Sequence, residues 1–391
     1  MIGGAAGWLS AGLAPGLALG GAEEHAAAAA APGTLSGKRA LIQRSSRPPN
    51  FETPPAGLVP LLTSNDEFFV RYHLPVIPPV DPATWRLEVG GLATGRPLSL
   101  SLHDLRHRFE KVSVVAVNQC SGNRRGLFAP RVPGVQWGNG AMGNARWSGV
   151  RLRDVLRLAG VSGKALEVVY GGSDAGALPA TPAFVKSLPI DRALDEWTLV
   201  CFEMNGEPLP RWNGAPVRLV VPGWTGTYWM KHLDRIRVVE QPFEGFWMKS
   251  AYRLPTGKFP GARFASQETP ETTPITAILV NSLITSPAAG ARLARGEPAS
   301  VRGKAWDGGS GIAAVEVSLD GASWREATLG VDLGPYAWRE FTLPVDTSSP
   351  GRIDIAVRAR ARNGAVQPEA LVPNPSGYHD NRVQRVSVEV A

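Results

Sequence analysis

Four segments in the last part of the chain, residues 312–319, 338–345, 352–360 and 383–390, alternate apolar and polar side chains with period two. A helix cannot keep such a pattern on one face, whereas a strand, whose side chains point alternately to its two faces, does so automatically. The C-terminal part is therefore expected to be an antiparallel β-sandwich of immunoglobulin-like size. Gly 44 and Pro 34 in 391 residues extend the expectation of short strands and turns upstream. With 43% hydrophobic residues the chain can bury at least two cores, so the expected class is α+β, β-rich, with two domains.

The Pro/Gly/Thr/Glu stretch at 255–273 has no apolar periodicity and marks the boundary. The expected organisation is a leader over 1–35, a catalytic domain over 36–260 and the sandwich over 270–391. The leader rests on the uncharged Ala/Gly/Leu-rich start and the small-residue tract 26–31, suited to signal-peptidase cleavage. A positive segment is missing ahead of it, which leaves either a twin-arginine signal truncated upstream or an unusual leader; a disordered Ala-rich tail is the alternative. Periplasmic export follows from the first reading. No other window is apolar and long enough to span a bilayer.

The net charge of +7 comes without any run of five basic residues, which favours an anionic substrate or an acidic partner over nucleic acid. Two cysteines, Cys120 and Cys201, exclude a disulfide framework, leave a single bridge between them open, and offer no C-x-x-C-H haem attachment.

Residues 112–117 are mostly β-branched and read as a buried strand; 121–123 (SGN) is turn chemistry that ends it. Cys120 therefore stands where strand becomes loop, with Arg124 and Arg125 close by to favour a thiolate and an oxyanion. It reads as core packing, half of a disulfide, or a metal ligand. Elsewhere, 67–75 looks strand-like between prolines spread over 48–79, 85–91 reads as a strand, and 98–105 as a strand running into a short helix capped by Ser or Asp. A helix is expected over 149–159 with a stop at Gly160, and strands over 165–170, 199–204 and 216–222, the last leading into a Gly/Trp-rich loop. There is no H-E-x-x-H, C-x-x-C or G-x-S-x-G, so zinc hydrolysis and serine acyl transfer lack support. A thiol hydrolase using His73, His103 or His107 has no local signature.

Five segments, 69–75 (FVRYHLP), 118–125 (NQCSGNRR), 204–210 (MNGEPLP), 216–223 (PVRLVVPG) and the loop to Lys231, together resemble the sulfite oxidase family of molybdenum enzymes. The resemblance spans about residues 48–391, includes the trailing sandwich as that family's dimerisation domain, and is nearest to the bacterial periplasmic sulfite dehydrogenases, since no haem domain precedes the catalytic one. It implies a molybdenum–molybdopterin (pyranopterin dithiolene) cofactor, no haem in this chain, and Cys120 as the protein thiolate on the metal. It implies that Arg71 and Arg125 clamp sulfite and that Tyr252 hydrogen-bonds at the reacting oxygen. Phe69, Val70, Arg71, Tyr72, His73, Asp174, Asn213, Arg218, Trp229, Met230 and Lys231 fall at cofactor-contacting positions.

Asn213 stands where the animal enzymes carry histidine, Tyr228-Trp229 replaces Arg-His ahead of the lysine, and the stretch 374–378 (NPSGY) offers Ser376 in place of a further pocket arginine. The resemblance implies oxidation of sulfite to sulfate, with electrons passed singly to an external c-type cytochrome, and a homodimer or a complex with a cytochrome subunit. A sulfane dehydrogenase, a sulfoxide reductase and a non-catalytic exported binding protein are the alternatives. Cys201 is left as a core thiol.

Overall fold

The computed structural model describes residues 32–259 and 269–391; apart from its end, the expected leader over 1–35 lies outside the described residues. Its architecture is β-rich with short helices, as expected. The strand Val112–Gln119 pairs antiparallel with Met142–Arg151 over its whole length, from Val112 opposite Gly149 to Gln119 opposite Met142. Met142–Arg151 pairs in turn with Leu199–Met204, which also carries Arg218–Val220.

Met142–Arg151 has no counterpart in the sequence reading. Its glycines hide it: a Cβ at Gly143 would lie 2.5 Å from the Phe68 ring, and one at Gly149 only 2.2 Å from the Val200 carbonyl oxygen. Close approach at both positions demands glycine, and glycine erases the alternation that signals a strand. The helix expected from residue 149 consequently begins at Leu152 and runs to Leu158, with residues 149–151 in the strand; Gly160, at φ +69°, follows its end.

A second sheet orders Val185–Pro189, Glu167–Gly172, Leu233–Val239, Arg86–Gly90 and Leu98–Ser101, with one parallel pair between Leu233–Val239 and Arg86–Gly90. Ser101 and Asp104 form a reciprocal capping box on the helix Leu102–Arg108. The two sheets enclose one core built around Trp137, Trp147, Phe202, Tyr170 and Tyr228.

In 48–79 the prolines do not break every element: Asn50–Glu52 pairs with Val70–Arg71 in a small N-terminal sheet. The strand-like stretch 67–75 contributes only Val70–Arg71 to that sheet.

The C-terminal part is a sandwich. One sheet holds Asn281–Ser286, Ala299–Trp306 and Arg339–Val345; the other holds Ile312–Ser318, Gly351–Ala361 and Gln384–Val390. Its interior is separate from the first core. A third cluster joins them: Leu58, Val117 and Met142 pack against Ile278, Leu283, Trp306 and Trp338. Within it the Trp306 indole N–H donates to the Gln119 side-chain oxygen at 2.6 Å, so the sandwich braces the residue that precedes Cys120.

Candidate active site

The end of the central strand builds the first wall. The Cys120 backbone N–H donates to the Ala141 carbonyl at 2.9 Å, and the Cys120 carbonyl accepts from Asn123 N–H at 3.0 Å, closing a turn that needs Arg124 in the left-handed region at φ +68°. Cys120 is a free thiol, 7% exposed, in the lining of a pocket shared with Phe68, Phe69, Arg71, His73 and Tyr252. Cys201 is also free and belongs to the main core, which removes the disulfide reading; burial pushes its thiol up to about 12.

The two arginines after Cys120 diverge. Arg124 turns to the sandwich, donating to the Arg382 carbonyl at 3.1 Å and standing 3.8 Å from Asp380. The Arg125 Nε donates to the Ser376 carbonyl at 2.7 Å, a terminal nitrogen reaches the Val135 carbonyl at 3.3 Å, and the guanidinium lies 5.0 Å from the Tyr378 ring centre. A Cβ at Gly122 or Gly134 would meet that guanidinium at 2.5 or 2.7 Å. Arg125 is thus caged beside the pocket, and Ser376 contributes its backbone.

The second wall alternates. Phe69, Arg71 and His73 line the pocket, whereas the side chains of Val70 and Tyr72 turn the other way into a cluster with Leu41 and Phe51. Of the contiguous set 69–73, three residues present their side chains to the pocket, because strand geometry at Val70–Arg71 sends neighbouring side chains to opposite faces. Tyr72 instead places its hydroxyl 2.7 Å from the His232 Nε2.

Arg71 donates to the Tyr252 hydroxyl at 3.3 Å and to the Asn50 side-chain oxygen at 3.2 Å. The same Tyr252 hydroxyl contacts the His73 Nε2, and the His73 ring stacks on Phe184 at 3.7 Å. Burial, reinforced by Arg71, Lys231 and Lys186, holds His73 well below the usual histidine range, so it is a neutral ring that accepts. Burial raises the Tyr252 phenol against the pull of Arg71, so it is a protonated donor. Tyr252, at φ +59°, is fixed by this cluster.

The far end is cationic. Lys231 donates to the Arg71 carbonyl, lies 4.1 Å from the Tyr72 ring centre, and is pushed down to about 7, chiefly by burial and then by Arg218. Arg218 donates to the Asn213 and Trp229 carbonyls at 2.9 and 3.1 Å and sits between Trp147 and Trp229; burial lowers it to about 10. Asp174 also lines the pocket, and burial raises its carboxyl. Phe69, Asn213, Trp229 and Met230 complete this end.

Desolvated cations outnumber the single carboxylate here, and the buried atoms Asn118 Oδ1, Ser121 Oγ, Thr227 Oγ1 and Arg218 Nε have no partner among the described residues. Such a lining is complementary to a large, anionic, hydrogen-bonding group. A molybdopterin with its phosphate and soft metal fits it: Arg218, Lys231, Asn118, Ser121 and Thr227 would hold the organic part, and Cys120 is the soft donor.

The lowered lysines have a measurable sign. Lys38 and Lys231, each near 7 when folded against 10.5 ordinarily, bind fewer protons folded than unfolded between those values. Their contribution to stability therefore rises with pH through that window. Cofactor-free protein is expected to show a rising thermal midpoint from pH 7 towards 10, with a shallower rise in Lys231→Met.

The sequence reading missed several neighbours. Lys38 donates to Asn213 Oδ1 at 2.6 Å, and Trp212 donates to the Ser36 carbonyl at 3.0 Å, so the segment before the first long strand fastens onto the pocket rim. Phe184 and Lys186 arrive from the strand Val185–Pro189 and its approach, and Tyr378 stacks on Tyr252 at 5.5 Å from the sandwich side. None of these carries a motif. The only signal was the small cluster 374–378, already noted for Ser376.

Residues 73–247 match the oxidoreductase molybdopterin binding domain, and residues 272–391 the Mo-co oxidoreductase dimerisation domain. The mitochondrial sulfite oxidase of Mus musculus is 40% identical over 299 residues, covering 74% of this chain and 53% of that protein. The sulfite oxidase of Gallus gallus is 37% identical over 348 residues, covering 85% of this chain and 74% of that protein. The crystal structure of the sulfane dehydrogenase SoxCD from Paracoccus pantotrophus superposes with a TM-score of 0.75 at 27% identity, covering 90% of this chain and 87% of that one. The chain spans little more than half the length of the mouse relative.

Proposed function

The chain belongs to the sulfite oxidase family of molybdopterin oxidoreductases, and from that premise we propose that it oxidises sulfite to sulfate, passing two electrons one at a time to an external c-type cytochrome. The observation that carries this reading is the convergence of Cys120, Arg71 and Tyr252 on one pocket whose buried cations, Arg71, Arg218 and Lys231, outnumber its one carboxylate, Asp174.

When bound, the molybdenum–pterin centre supplies the two-electron oxidation of sulfite. The residues around it do the rest. Arg71 presents a fixed positive charge to an entering oxyanion, and its hydrogen bond to Tyr252 orients the phenol towards the same point. Neutral His73 accepts from the Tyr252 hydroxyl and holds the phenol beside Arg71. Arg125, anchored on Ser376 and Val135, adds long-range positive potential without entering the lining. The aromatic wall of Phe69, Phe184 and Trp229 keeps bulk water from the polar groups and strengthens each interaction.

Export to the periplasm is part of the proposal, supported by the small-residue tract at 26–31. Among the described residues no helix is long and apolar enough to cross a membrane. The likeness to a sulfane dehydrogenase favours a second reading, in which the substrate is a sulfane sulfur at the same site.

Purified protein is expected to contain stoichiometric molybdenum and to reduce ferricytochrome c on addition of sulfite. Metal-free protein with full activity would refute the reading. Turnover with a protein-bound persulfide but not with sulfite selects the sulfane alternative.

A further inference from the structure

Lys186 is a buried amine whose part so far is confined to the field it exerts on His73. It lies on the strand Val185–Pro189 with its side chain fully enclosed. Its Nζ donates to the Trp247 carbonyl at 2.8 Å, and the same atom stands 4.5 Å from the Tyr228 ring centre and 5.3 Å from that of Tyr252. The charged neighbour that shifts it is Arg253, itself a cation, which joins burial in holding Lys186 well below the usual lysine range. A chain that needed only volume here would do better with leucine or methionine, because an enclosed amine without a carboxylate opposes folding.

What Lys186 touches gives it a purpose. Tyr252 occupies the left-handed region at φ +59°, unfavourable for a residue with a side chain, and its surroundings must hold it there. Trp247, whose carbonyl Lys186 grips, also packs its ring 6.3 Å from the Tyr252 ring. Lys186 thus reaches both the ring of Tyr252 and the backbone of its aromatic neighbour.

We infer that Lys186 is a positioning residue for Tyr252: anchored on the Trp247 carbonyl and lying against the Tyr228 and Tyr252 rings, it fixes the Tyr252 hydroxyl against Arg71 and His73 where the oxyanion is received. This rests on the reading of the Arg71–Tyr252 pair as the anion-receiving group.

The test is a double-mutant cycle in the holoenzyme, Lys186→Met alone and in a Tyr252→Phe background. Acting through Tyr252, Lys186→Met raises the sulfite KM by about tenfold with kcat within about twofold, and both changes vanish in the Tyr252→Phe background. Calorimetric binding of sulfate, which involves no turnover, weakens by the same factor and with the same dependence on Tyr252. A general structural role predicts equal losses in both backgrounds, and that result, or an unchanged KM in the wild-type background, overturns the inference. If Lys186→Met does not accumulate as folded protein, Lys186→Gln keeps a donor for the Trp247 carbonyl and carries the same cycle. Wild-type protein that binds sulfate but does not oxidise sulfite sinks the proposed function while leaving the cycle readable by calorimetry; wild-type protein that binds neither anion removes both.

Discussion

Cys120→Ser is expected to fold normally and to lose sulfite-dependent turnover by roughly a thousandfold or more, the scale on which removal of an essential active-site group acts. The fold should tolerate the change because serine is nearly isosteric and the position is held by backbone: the N–H of residue 120 bonds to Ala141 and its carbonyl to Asn123, whatever the side chain. Function should not, because a soft sulfur donor is replaced by a hard hydroxyl. Cys201→Ser is the control. That fully buried thiol lies 3.1 Å from the carbonyls of both Ser148 and Glu203 at a bulge, so its replacement should change the thermal midpoint and leave KM and kcat alone. Circular dichroism, metal content and initial rates on the two variants separate the cases. Full turnover by Cys120→Ser would end the assignment of Cys120 as the ligand.

What the sequence made legible follows from the range of the interactions involved. The sandwich strands Ile312–Ser318 and Gln384–Val390 could be read because each has one face in the core, so burial writes a local period of two. Met142–Arg151 could not: both its faces are covered, and its glycines answer to Phe68 and Val200, residues far away in sequence. The site divides in the same way. Cys120 and Arg71 lie in compact segments that resemble a known family. Lys38, Lys186 and Tyr378 reach the same region only through pairing between distant segments, and a lone lysine or tyrosine carries no local mark of where the chain will carry it. Arg125 shows the opposite failure. Its neighbour in sequence is Arg124 and both looked alike beside Cys120, yet a left-handed turn at Arg124 separates them, one to Asp380 and one to the Ser376 carbonyl.

That separation gives the two sulfite-clamping candidates different expected phenotypes. Arg71→Ala should raise the sulfite KM by ~30- to 1,000-fold, corresponding to about 2–4 kcal/mol for deleting a charge-assisted hydrogen bond in a desolvated site. The guanidinium lines the pocket, donates to Tyr252 and has Asn50 as a neutral second partner, so its charge is uncommitted to any carboxylate and available to an anion. Removing it also frees the Tyr252 hydroxyl to rest on His73 alone. Arg125→Ala should act first on stability, because it deletes the link from the catalytic domain to the Ser376 carbonyl and the stacking on Tyr378; its effect on KM should be smaller and should shrink with added salt. The two are told apart by measuring KM at low and high ionic strength beside the thermal midpoint. An Arg71→Ala enzyme whose KM stays within about twofold of wild type at low salt would show that the substrate's charge is met elsewhere, with Lys231 the nearest remaining cation in the pocket wall.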